Sequence, residues 1–222
     1  MNVGKRHAKP VLIVSLFSLG ACLLSSCTTT AKMEFRAPTA LPVVQASLQP
    51  PAGEGNVSMT RPRDLREKKA IAEFNYGSFS LSHATIFPAG DPALWVGNGV
   101  AAALENNGYQ VAKVETVKDA RTPLAVDVAV TKLTTSVQTG FFSVTGKNVV
   151  AAKVTIYRSG EIVQHREYTG EASKSGAQIG ARELQAAVNA SLEDLLNRAI
   201  PDVCAGLAKA RLGSASESTA NQ

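Results

Sequence analysis

Leu124-Ala125-Val126-Asp127-Val128-Ala129-Val130 places a large apolar side chain at every second position. That is the period of a strand with one face in a core, and the strand is expected over Leu124–Val137. Downstream, Asn148–Tyr157 and Ile162–Ala172 read as two further strands joined at Ser159-Gly160, a dipeptide suited to a two-residue hairpin turn. Upstream, Tyr109–Val117 reads as a strand, and so does Ile71–Leu81, with Phe74 and Tyr76 on one face and Gly77 as a bulge. Two helical patterns interrupt the strands. Asp91-Pro92 caps the first, its apolar stripe is Leu94, Gly97, Val100, Ala101 and Leu104, and Asn107-Gly108 ends it. The second, about Ala181–Ile200, carries Leu184, Val188, Leu192, Leu195 and Ala199 at helical spacing. Pro201 kinks it or starts a short last helix to about Leu212.

The order is β-α-β-β-β-β-α. A strand–helix–strand unit favours a parallel pair and the hairpins favour antiparallel ones. The expected fold is therefore α+β: a single mixed sheet of about five strands, with both main helices on one face.

Residues 1–26 form an export leader. Lys5, Arg6, His7 and Lys9 precede the apolar run Val11–Leu24, which is shorter than the ~20 residues a spanning helix needs. Leu24-Ser25-Ser26-Cys27 closes it in the form of a lipobox. Leu19-Gly20-Ala21-Cys22 is an alternative cut, but it leaves Leu23 and Leu24 exposed and shortens the apolar segment. Cys27 is thus the expected lipidation site, with Cys22 the alternative. With Cys27 acylated, Cys204 is the one remaining thiol and a small buried hydrophobe. With Cys22 acylated, a Cys27–Cys204 disulfide becomes available. Thr28, rather than aspartate, follows Cys27, which points to the outer membrane.

Residues 27–60 are rich in Thr, Ala, Pro, Gln and Gly without a lasting period. They read as an acylated tether with an r.m.s. span of roughly 30 Å. The folded domain is expected over 61–212, and residues 213–222 as a disordered tail.

Composition narrows the function. The chain of 222 residues has a formal charge of +5, from 23 basic and 18 acidic residues. Three of the basic residues lie in the leader, so the mature balance is near neutral and gives no electrostatic case for nucleic acid. Gly97-Asn98-Gly99-Val100-Ala101-Ala102 matches a dinucleotide fingerprint but falls inside the first helix, not after a strand. Gly140–Lys147 has one residue too many for a phosphate loop, with Asn148 where Ser or Thr belongs. His83 and His165 lack partners at metal-ligand spacing. No Gly-x-Ser-x-Gly elbow occurs, and Glu171, Glu193 and Asp194 read as solvated charges. No catalytic residue, metal or cofactor is expected. Phe141 and Phe142, in the Gly-bounded connection between two strands, are the candidate partner-contact residues if exposed; otherwise they plug the end of the core.

The lipobox, the helix ending in Asn107-Gly108-Tyr109-Gln110-Val111, the strand Leu124–Val130, the hairpin and the closing helix Leu184–Ala199 resemble YajG-type bacterial lipoproteins over roughly residues 70–205. That resemblance implies a fold similar to the N-terminal domain of TolB and to LpoB. It also implies a non-enzymatic, protein-binding role in the cell envelope. The expected partners are a lipid bilayer, through the acyl chains, and an envelope protein, with a structural subunit of an oligomeric complex as the alternative. A cell-wall hydrolase is the third reading.

Overall fold

The computed structural model describes residues 29–75, 83–139, 143–177 and 179–219. Its centre is β7 (Leu124–Thr139), which pairs antiparallel with β8 (Val144–Arg158) along almost its whole length. β8 pairs in turn with β9 (Glu161–Gly176), and the turn is tight because Ser159 and Gly160 both adopt left-handed φ angles, 51° and 88°. Such a turn matches the twist of the flanking strands.

On its other side β7 pairs in parallel with β2 (Asn56–Thr60), and β2 with β6 (Gln110–Val114). The two-residue β3 (Arg63–Asp64) extends this contact along β7. The main sheet is therefore mixed, in the order β6-β2-β7-β8-β9, with β3 also on β7. A smaller sheet, β1-β5-β4, joins β1 (Thr29–Met33) in parallel to β5 (His83–Pro88) and β4 (Ala72–Asn75) antiparallel to β5. It is tied to the main sheet where the Thr135 N–H donates to the Ile71 carbonyl at 2.7 Å.

The helices are α1 (Pro92–Asn106) and α2 (Ala181–Thr219). The Asp91 carboxylate accepts from the Ala93 and Leu94 amides, and Pro92 fills the first turn. Both helices share one face of the sheet and touch each other. Val126, Val128 and Val130 of β7 and Val150, Val154 and Ile156 of β8 are fully buried beneath them, with Leu192, Leu195, Leu196, Ile200 and Leu207 of α2. The mixed α+β sheet with two helices on it is as the alternation predicts.

Four expectations change. The stretch read as a tether is built into the domain. β2 lies in the middle of the sheet, Val57 and Met59 are buried, and Phe35 stacks on Trp95 with ring centroids 4.5 Å apart. Asn107, itself buried, holds this segment: it accepts from the Val44 amide and donates to the Pro42 carbonyl. β2 does alternate, Val57 and Met59 with Ser58 and Thr60, but over only five residues set in Pro- and Gly-rich chain. Val57 to Thr60 are all buried, Ser58 and Thr60 by bonding to Thr122 and Asp127. The domain boundary at 61 is thus too late.

The strand read at Ile71–Leu81 is confined to Ala72–Asn75 and belongs to the second sheet, while Tyr76 and Gly77 lie outside the described residues. In α1, Leu94 is 42% exposed, and Trp95, Val96 and Ala103 take its place in the core, because α1 is covered on one side by α2 and on another by residues 35–38. Finally, α2 continues through Pro201 to Thr219 instead of stopping near Leu212. Proline withdraws one N–H, and the carbonyl deprived of it, that of Asn197, sits on the exposed side of the helix where water can serve it.

Candidate functional site

The residues with catalytic or ligand chemistry are occupied structurally. Gly97 and Gly99 lie within α1. A side chain on Gly97 would meet Pro62, and one on Gly99 would touch Leu192, so both serve close packing. His165 shares a 2.8 Å hydrogen bond with Thr155 on the neighbouring strand. Glu171 pairs with Lys147 at 2.6 Å, and Glu193 accepts from the amide and hydroxyl of Thr39. Asp194 pairs with Arg198 and accepts from the Glu171 amide. Among the described residues no group of three or more His, Cys, Asp or Glu side chains could hold a metal ion. Cys204 is the free cysteine among them. It is wholly buried, and burial pushes its thiol up to about 11. Cys22, Cys27, Phe141 and Phe142 lie outside the described residues, and so does the structure of the expected lipidation and contact sites.

What the structure does offer is an edge. β9 is sixteen residues long, pairs among the described residues with β8 alone, and is exposed at most of its positions. The Glu171 N–H points away from β8, to Asp194. By strand alternation the N–H groups of Thr169, Glu167 and His165 point the same way. α2 is clamped beside this edge by one carboxylate. Asp202 accepts from Gln164 at 3.1 Å, from Arg166 at 2.9 Å and from the Tyr168 hydroxyl. Burial above all, then that carboxylate, drives the Tyr168 phenol well above its ordinary range. Below the clamp, Arg158, Val163, His165, Arg166 and Lys209 line an open groove of about 570 Å³, beside Gly206, which packs against Gln164 and Ile156. Ile162 and Val163 are exposed at this end of the strand. Little of this is legible in the sequence. The alternation of Gln164, Arg166 and Tyr168 is the one local signal, and its partner is more than thirty residues away.

A second cleft, about 390 Å³, opens between α1 and the ends of the parallel strands β2 and β6. Arg61 and Glu115 face each other across it at 3.7 Å, and Lys113 donates to Asn98 at 3.1 Å. Near it, Asp64 is ringed by cations. Burial would raise its carboxyl, but hydrogen bonds from Arg66 and Lys69 outweigh this and hold it at about 2, against an ordinary 3.8. A depressed folded-state value gives stability that is present above pH 3.8 and is lost as pH falls through about 2. Urea midpoints measured from pH 5 to about 2 should therefore fall less steeply in Asp64→Asn than in the unaltered protein. Parallel curves would show that the cations contribute nothing.

Residues 42–203 match a family model described as uncharacterized lipoprotein. The chain belongs to that family. The YajG-type resemblance holds, and the matched region begins well before residue 61, in agreement with the place of β2 in the sheet. No curated protein matches the sequence. Among solved structures, protein XCC0632 from Xanthomonas campestris is similar at 13% identity and a TM-score of 0.46, over 80% of this chain and 96% of that one. A minor lipoprotein from Acinetobacter baumannii is similar at 14% identity and a TM-score of 0.38, over 68% and 93%. Lipoprotein GNA1162 from Neisseria meningitidis is similar at 11% identity and a TM-score of 0.30, over 64% and 99%. Among the described residues no helix of this lipoprotein is long and apolar enough to cross a membrane.

Proposed function

We propose that this lipoprotein is acylated at Cys27, held on the periplasmic side of the outer membrane, and acts there without catalysis as a protein-binding or assembly module. The single observation that supports the contact role is the open edge of β9. An unpaired row of backbone N–H and C=O groups is a template for another strand, and native proteins usually block or shorten such edges. Here the row is long and contains no proline; a side chain, Asp194, satisfies it at Glu171. Phe141 and Phe142, which fall in sequence between β7 and β8, are proposed as additional contacts.

Photocrosslinking amino acids placed at Thr169 and Ser173 in cells test this reading, with Gln110 on the β6 edge as the comparison. Adducts at the β9 positions that disappear in Thr169→Pro are the expected result. Proline at an outward N–H leaves the β8 ladder intact while spoiling the template. Adducts with a second copy of the chain would select the structural-subunit reading. Adducts with a different protein would select the binding module. An edge that yields no adducts, or yields them equally at Gln110, would remove the proposal's support.

A further inference from the structure

We infer that the outward face of the small sheet, where Lys32 lies beside Phe87, rests on the bilayer surface that holds the acyl chains. This rests on the reading of Cys27 as the acylated residue. β1 begins at Thr29, two residues after Cys27. Two residues span at most about 7 Å. One headgroup layer is roughly 5–8 Å thick. The strand therefore starts at headgroup level, and no free length remains for the domain to swing away.

The side chains decide which face meets the lipid. Met33 and Ile86 turn inward and are buried. Lys32 and Phe87 alternate with them, occupy matching register positions on the paired strands β1 and β5, and are exposed, Phe87 by 38%. An aromatic ring suits the interface between headgroup and acyl chain, and an ammonium suits lipid phosphate.

The course of the chain sets the tilt. After β1 the Glu34 carbonyl accepts from Gln185, near the start of α2, and Thr39 bonds to Glu193 two turns on. Val44 then meets Asn107, and the Leu48 carbonyl accepts from Tyr109. Tyr109 lies beside Cys204 and Arg211, at the part of α2 that covers Ile156 and Gln164. The segment thus leads from the anchored end to the opposite end, where the Ser159-Gly160 turn lies. Ile162 and the lower half of the β9 edge consequently face away from the membrane.

The test uses the full acylated chain in phosphatidylethanolamine–phosphatidylglycerol vesicles carrying nitroxide-labelled headgroups. Mass spectrometry of the N-terminal peptide is read first. An unacylated Cys27 would overturn both the anchor reading and this proposal. With acylation established, one fluorophore is placed in turn by Phe87→Cys, Lys32→Cys and Ile162→Cys. Cys204 is buried and Cys27 is capped, so labelling is confined to the new thiol. Quenching several-fold stronger at 87 and 32 than at 162 is expected. Equal quenching at all three positions, or stronger quenching at 162, would overturn the docked orientation while leaving the anchor reading intact. Lys32→Cys, at an exposed position, keeps the test valid if Phe87→Cys misfolds.

Discussion

A fragment that begins at Arg61 should fail to reach the native state. It lacks β2, the strand between β6 and β7, and with it the buried side chains of Val57 and Met59. Burying each of those is worth about 1.5–3 kcal/mol. Two such losses approach the whole net stability of a domain, on the order of 5–15 kcal/mol. The damage does not stop there. β6 loses the neighbour that holds it in the sheet, and Asp127, nearly buried, loses the Thr60 hydroxyl that donates to it at 2.6 Å. Asn107 is left with the Val44 amide and the Pro42 carbonyl both gone. Near-ultraviolet circular dichroism and thermal melts should show no cooperative transition for the fragment, while a chain from Thr29 to Thr219 melts in one step. A cooperative melt of the fragment at the same temperature would mean that residues 29–60 are an accessory to the fold.

The largest effect expected from one substitution is at Gly170. This β9 residue lies under α2 so closely that a Cβ would sit 2.1 Å from the Ser191 carbonyl oxygen and 2.4 Å from the Leu195 nitrogen. Those are backbone atoms of a helix and cannot swing aside as a side-chain tip can. Gly170→Ala gains up to about 1 kcal/mol of strand preference. Against this, the helix must lift off a packed core, which costs about 3 kcal/mol or more. The clash dominates. A loss of that size lowers the melting temperature by roughly 6–12 °C in a domain of this length. Gly160→Ala is the control. Nothing lies within 4 Å of its Cβ, and its left-handed φ alone should cost about 1 kcal/mol. Equal shifts for the two variants would place the cost in backbone conformation and rule out the close approach of α2.

The elements that were legible in the sequence share a property: their pattern is local and one-sided. β7 alternates because one face meets the helices and the other carries smaller or polar side chains such as Asp127. Asp91-Pro92 and Asn107-Gly108 mark α1 because a helix end must satisfy its own free amides and carbonyls with neighbours in the chain. The candidate site left almost no trace of this kind. An edge is a matter of which strand has no second neighbour, and β9 reads like any other strand in a hairpin. The Asp202 clamp joins residues 164–168 to a helix more than thirty positions on, through side chains whose types are ordinary at a surface.

By itself the sequence determined the α+β class, the hairpin turn at Ser159-Gly160, the limits of α1, the apolar stripe of α2 and the resemblance to a lipoprotein family. Each follows from periodicity, capping or turn chemistry acting over a few residues. Only the tertiary structure decided that residues 33–60 belong to the domain, that a second sheet gathers β1, β4 and β5, and that β9 is left open. The alternation of β2 spans only five residues, too short to stand out from the irregular chain before it, and that Pro- and Gln-rich chain is ordered here by Asn107 and Trp95, which lie about sixty residues away. That is where the sequence stops: the reach of the anchor depends on whether a strand captures the chain at Thr29, and strand capture is decided by a partner, β5, that comes more than fifty residues later.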